Sequence, residues 1–165
     1  MGVKDSLLTE FDAEAMTTRR MLERLPEGKA DWKPHEKSMS LGRLAMHLAE
    51  IPGFFSAIFD GDELIAGGSQ REPRVARSSA EALAVFDASV AAFAGKLRTF
   101  PEERLQETWR LRAGDRVALE RPRAAALRTL VLSHSIHHRG QLSVYLRLLD
   151  VAVPGAYGPS ADEKR

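Results

Sequence analysis

Cysteine is absent from all 165 residues. That single absence removes disulfide scaffolds, zinc knuckles, iron–sulfur clusters and a cysteine nucleophile together. It also fits a reducing compartment, and it means that any thiol in the chemistry has to arrive as a small molecule. Excess charge of one sign is missing too: 24 Lys and Arg stand against 23 Asp and Glu, for a net charge of +1. Proteins that live on phosphate contacts usually carry a clear basic excess, so nucleic acid is not an expected partner. No apolar run approaches the ~18 residues that span a bilayer, which removes the membrane as a partner. Met1–Ser6 lacks the apolar stretch of a secretion signal. The expected location is cytoplasmic.

Apolar residues make up 44% and charged residues 28%, the profile of a folded chain and not of a disordered one. The length fits one domain, 1–165, able to bury a core without staples. Within it the apolar spacing is the strongest signal. Leu8, Phe11, Ala15, Thr18, Leu22 and Leu25 recur at three and four, the stripe of a helix that buries one face. Pro26 and Gly28 should stop that helix.

A second stripe runs through Leu44, His47, Ile51, Phe54 and Ile58, with Ser40 as its N-cap. Pro52 inside it should kink the helix or split it. A break follows at Asp60–Gly61 and Gly67–Gly68. Ser78 then opens a third helix, with Glu81 completing a capping box and a stripe of Leu83, Phe86, Val90, Phe93, Leu97 and Phe100. Pro122 suits the first turn of a fourth helix reaching about Asp150, striped by Leu127, Val131, His134, His138, Gln141 and Tyr145. Between helices three and four, residues 107–112 and 116–120 flank Ala113-Gly114-Asp115 and read as a small hairpin. The expected fold is all-α, a four-helix bundle with a small hairpin between helices three and four. The arginines at 121, 123, 128, 139 and 147 read as a solvated helix face.

Helices one and three fill their seams with hydrocarbon, apart from one Thr, whereas helices two and four place imidazoles there. His134 and His138 are four residues apart, so both rings leave one helix face about 5–6 Å apart at Cβ. That spacing lets two side chains of one helix share an ion. His47 sits in the seam of another helix and can supply a third nitrogen. Three buried imidazoles without partners would cost roughly 1–3 kcal/mol for each unsatisfied nitrogen, and one divalent cation satisfies three at once. Ser133, Ser135 and Gln141 are nearby candidates to accept the other ring N–H groups. Thr18 and Ala15 are small enough to leave room beside the ion. The competing reading is three hydrogen-bonded core histidines.

His137 points about 100° away from His138 and belongs beside the site or on the surface. His35, in a loop next to Pro34, is read as non-ligating. Glu50 either takes a proton from water activated by the ion or is a solvated charge. No Ser-His-Asp arrangement and no phosphate-binding glycine loop can be read from the chain.

Three stretches resemble the DinB-like family: Trp32–Leu41 leading into Leu44 and His47, the histidine-rich His134–Leu142, and the ending Tyr157–Glu163. The resemblance implies a helical bundle, often dimeric, with metal ligands at His47, His134 and His138. It also implies relatives that are thiol-dependent transferases and isomerases, in which a metal activates a small thiol. The expected function is a metal-dependent enzyme, a thiol S-transferase or a hydrolase, using zinc, nickel or iron. Its substrate is a small molecule, a thiol cosubstrate is possible, and Arg139 or Arg147 is a candidate for steering an anionic one. The alternative is a non-catalytic metal-binding or stress-response bundle in which the ion ties helix two to helix four.

Overall fold

The computed structural model describes residues 2–67 and 72–163. It is mostly helical with a small three-stranded sheet. Helix α1 spans Val3–Leu22 and ends short of Pro26. Helix α2 spans Leu41–Phe55, and the Ser40 hydroxyl accepts from the Arg43 backbone N–H as its N-cap. Pro52 does not split α2. The helix continues three residues beyond it and then tightens into a 3-10 turn at Ser56–Phe59.

Helix α3, Ser79–Thr99, follows Ser78, whose hydroxyl accepts from the Glu81 N–H at 3.2 Å. The reciprocal bond differs from the expected box, because the Glu81 carboxylate accepts from the Arg77 N–H at 2.6 Å. The carboxylate still lies in the first turn, where the helix dipole favours it.

The fourth helical stretch is not one regular helix. It begins as α4, Arg123–Leu127, widens into a π turn over Arg128–Ser133, and continues as α5, His134–Leu148. Asp150, at φ 57°, terminates it in a left-handed conformation that Asp tolerates better than most residues. The π turn inserts one extra residue. Beyond it the buried residues are Ser135, His138, Arg139, Leu142, Tyr145 and Leu146, so the expected positions His138 and Tyr145 share the buried face with Ser135 and Arg139.

Helix α1 packs on α3 and α5, and α2 packs on the same two helices. Leu22, Leu44, Leu48, Leu142 and Leu146 are fully buried between them, each worth about 1.5–3 kcal/mol relative to exposure. Phe54, placed in the core by its spacing, is instead 53% exposed, and Phe55 is buried in its stead. Gly42 is required where it stands: an added Cβ would lie 2.3 Å from the Ala76 carbonyl oxygen. The 72–76 segment therefore crosses directly over the start of α2, joined there by the Ala76 N–H to Gly42 oxygen bond of 3.0 Å.

The expected hairpin forms from β2, Thr108–Ala113, and β3, Arg116–Pro122, turning at Gly114 with φ 59°. The all-α expectation fails at β1, Glu63–Ala66, which lies in the glycine-rich break and pairs in parallel with β2. A four-residue strand leaves no periodicity to detect. Arg123, read as a surface charge, is fully buried instead. Its guanidinium donates to the Ile58 and Gly61 carbonyls at 3.2 and 2.9 Å and meets Asp62 and Glu107 at 2.5 and 3.2 Å. It thereby fastens the sheet to the turn after α2.

Candidate metal centre

Helix α2 presents two stripes. Leu44, Leu48, Ile51 and Phe55 face the core, while Arg43, His47, Glu50 and Phe54, one position away, line an open cleft. On α5, just after the π turn, His134 and His138 face His47. The three rings meet: His47 Nε2 lies 3.3 Å from His134 Nε2 and 3.1 Å from His138 Nε2. All three candidate ligand atoms fall within 4.8 Å of one another. Two nitrogens bound to one ion at about 2.0–2.1 Å in tetrahedral geometry stand roughly 3.3 Å apart, so the spacing suits a shared cation.

The donor set fits as well. His138 Nδ1 is 2.7 Å from the Gln141 amide oxygen, which places the ring proton on Nδ1 and leaves Nε2 with a free lone pair. The Leu130 backbone favours the protonated His134 ring, against the larger effect of burial. The His138 lone pair thus faces His47 Nε2, with His134 Nε2 beside it. One proton on His47 Nε2 serves one neighbour at good geometry, whereas one cation serves all three nitrogens. Among the described residues this is a group that can hold a metal ion.

Burial is the main cause that lowers all three histidine pKa values from the ordinary 6.5. His47 is pushed to about 4, helped by His138, His134 and Arg43. The rings are thus neutral near pH 7, the form that ligates.

The remaining candidates separate cleanly. Gln141 is joined to His138, while neither Ser133 nor Ser135 hydrogen-bonds to a ligand ring among the described residues. His137 is exposed and meets the His138 ring edge-on, with ring centroids 5.0 Å apart. His35 is exposed, and its Nδ1 accepts from the Lys37 N–H at 3.2 Å. Glu50 is engaged by Arg43 at 3.8 Å and Arg74 at 3.4 Å.

Room beside the histidines does not come from Ala15 and Thr18. Those two line a separate void of about 10 Å³, scarcely one water. The space comes from a cleft of about 680 Å³ whose walls include Glu50, Phe54, Val85 and Ser89, with His47 and His134 on its lining.

Arg139 is not the surface charge its position suggested. It is 2% exposed, ion-paired to Glu14 at 2.6 Å, and bonded to the Glu14 carbonyl, Thr18 and Tyr157. Its work is to clamp the C-terminal segment onto α1 and α5, away from the cleft. Arg147, half exposed, pairs with Asp162. Arg43 was missed by the sequence reading, although its place four residues before His47 puts it on the same helix face.

A mostly helical protein carrying one three-histidine cluster at the edge of a cleft is the class these features define. The chain belongs to the DinB family, which it matches over residues 1–165. It is 27% identical over 160 residues to the uncharacterized protein YrdA of Bacillus subtilis, covering 96% of this chain and 90% of that protein. A DinB-like protein from Bacillus cereus superposes with a TM-score of 0.73 at 24% identity, covering 93% of this chain and 97% of that one. The DinB-like protein YjoA of B. subtilis gives 0.67 at 20% identity, covering 97% and 99%. At these identities the two structures speak to the fold. No helix among the described residues is long and apolar enough to cross a membrane.

Proposed function

We propose that this chain is a metal-dependent enzyme of one domain, a four-helix bundle holding one divalent ion, zinc, nickel or iron, through His47, His134 and His138. The observation that carries the reading is the convergence of three neutral imidazoles, two of them on the lining of an open cleft. Three protein ligands leave a coordination position free, as catalytic sites do and closed structural sites do not. The reaction class is a thiol S-transfer or a hydrolysis on a small molecule, and the absence of cysteine makes any thiol a cosubstrate. A bound divalent ion supplies Lewis acidity and lowers the pKa of a thiol or water that it coordinates.

The chain's own residues do the rest. His138 is oriented by Gln141, so its ring plane is set before any ligand arrives. Phe54 and Val85 offer apolar walls that limit water around a substrate. Assembly as a homodimer belongs to the same reading, and the exposed Val144 and Leu148 of α5 offer an apolar face for it.

The test is metal content of untagged protein by mass spectrometry, beside His47→Ala and His134→Ala. About one ion per chain, lost in both variants, is the expected result. Metal-loaded protein is then screened with small thiols and electrophiles, and turnover should vanish on chelation while helical content survives. A protein that refuses zinc, nickel and iron would end this reading. One that unfolds on chelation would be using the ion to tie α2 to α5 instead.

A further inference from the structure

The charged wall of the cleft holds a donor that nothing uses. The Arg43 side chain is 24% exposed, yet its Nη1 is shielded from solvent and meets no hydrogen-bond partner among the described residues. Glu50 Oε2 stands 3.8 Å from it, close enough to offset charge but too far to accept its proton. Arg74 approaches the same Glu50 at 3.4 Å and is 59% exposed. One carboxylate therefore faces two guanidiniums. Phe54 and Val85 share the same lining with His47 and His134.

We propose that this cleft binds a small carboxylate with an apolar body, its oxygens drawn to the partly exposed Arg43 side chain on the cleft lining and its hydrocarbon lying on Phe54 and Val85. A guanidinium fork matches a planar carboxylate in two parallel bonds. Phosphate presents similar oxygens, but Glu50 and Glu72 also line the cleft and repel a dianion more strongly than a monoanion. Arg43 and His47 are four residues apart on one helix face, so a molecule anchored at Arg43 extends its other end toward the histidines. The inference rests on the reading of the cleft as the way to a metal site only for that direction. The binding itself needs no ion.

The experiment titrates metal-free protein with 4-phenylbutanoate, its amide and inorganic phosphate, following backbone amide shifts by NMR. The carboxylate should give saturable shifts at Arg43, Phe54 and Val85. The amide and phosphate should bind at least tenfold more weakly. Arg43→Gln should weaken carboxylate binding tenfold or more, and Arg43→Lys should restore part of it. Equal binding to wild type and Arg43→Gln, equal binding of amide and carboxylate, tighter binding of phosphate, or no saturable shift would each overturn the proposal. If Arg43→Gln does not fold, the wild-type preference for carboxylate over amide, with its footprint at Arg43, still decides. Metal uptake by the same preparations separates the two readings. Lost carboxylate binding with intact uptake removes this inference alone, and the reverse removes the metal-enzyme reading alone.

Discussion

His47 and His138 are 91 positions apart in the chain, and their Nε2 atoms stand 3.1 Å apart at the α2–α5 contact. The His138 ring is held from its far side by the Gln141 amide oxygen at 2.7 Å. One proton can bridge that pair, but with His134 Nε2 also 3.3 Å from His47 Nε2, three nitrogens stand where a single ion can meet them all.

Gln141 sets the His138 ring and, among the described residues, makes no hydrogen bond to the other two histidines. Gln141→Leu should weaken metal affinity roughly ten- to a hundredfold while one ion per chain still binds at saturation. Competition with a chromophoric chelator measures the change. An unaltered affinity would mean that packing, not Gln141, orients the ring.

Burial lowers the folded-state pKa of His47 to about 4 from an ordinary 6.5, and His134 and His138 shift in the same direction. The unfolded chain therefore takes up protons first as pH falls, so these groups make metal-free protein lose stability between about pH 6.5 and 4. Above that window both states carry neutral rings and the effect is gone. Urea midpoints taken across the range should fall more steeply for wild type than for His47→Gln. Parallel curves would show that His47 does not contribute.

Arg139, Glu14 and Tyr157 form a clamp well away from the histidines: Arg139 meets Glu14 and the Tyr157 hydroxyl at 2.6 Å each, and that hydroxyl lies 3.0 Å from the Glu14 carboxylate. Arg139→Leu leaves a mostly buried carboxylate without its cation and should cost about 3 kcal/mol or more. Tyr157→Phe removes a hydroxyl and should cost about 1 kcal/mol. Denaturant unfolding reads both. Metal uptake should be unchanged in Tyr157→Phe, since the tail does not reach the cleft.

The sequence by itself determined the helices and the identity of the histidines. Apolar spacing marks α1, α2 and α3 because each buries a single face, and capping serines mark the starts of α2 and α3 because a helix N-terminus needs acceptors. His134 and His138 were legible as a pair because four residues is a little over one helical turn. Tertiary structure alone decided the rest. The π turn at Arg128–Ser133 interrupts the last helix, and the core receives Ser135 and Arg139 beside His138, with His134 half-buried at its edge. Phe54 faces the cleft instead of the core because the stripe of α2 is wider than one row of residues. β1 exists because a partner strand lies alongside it, and Arg123 and Arg139 are buried because carbonyls and carboxylates distant in sequence surround them. A periodic pattern records which face of an element avoids water. It does not record which distant polar group will arrive to satisfy a buried charge, and the wall that carries Arg43 depends on that.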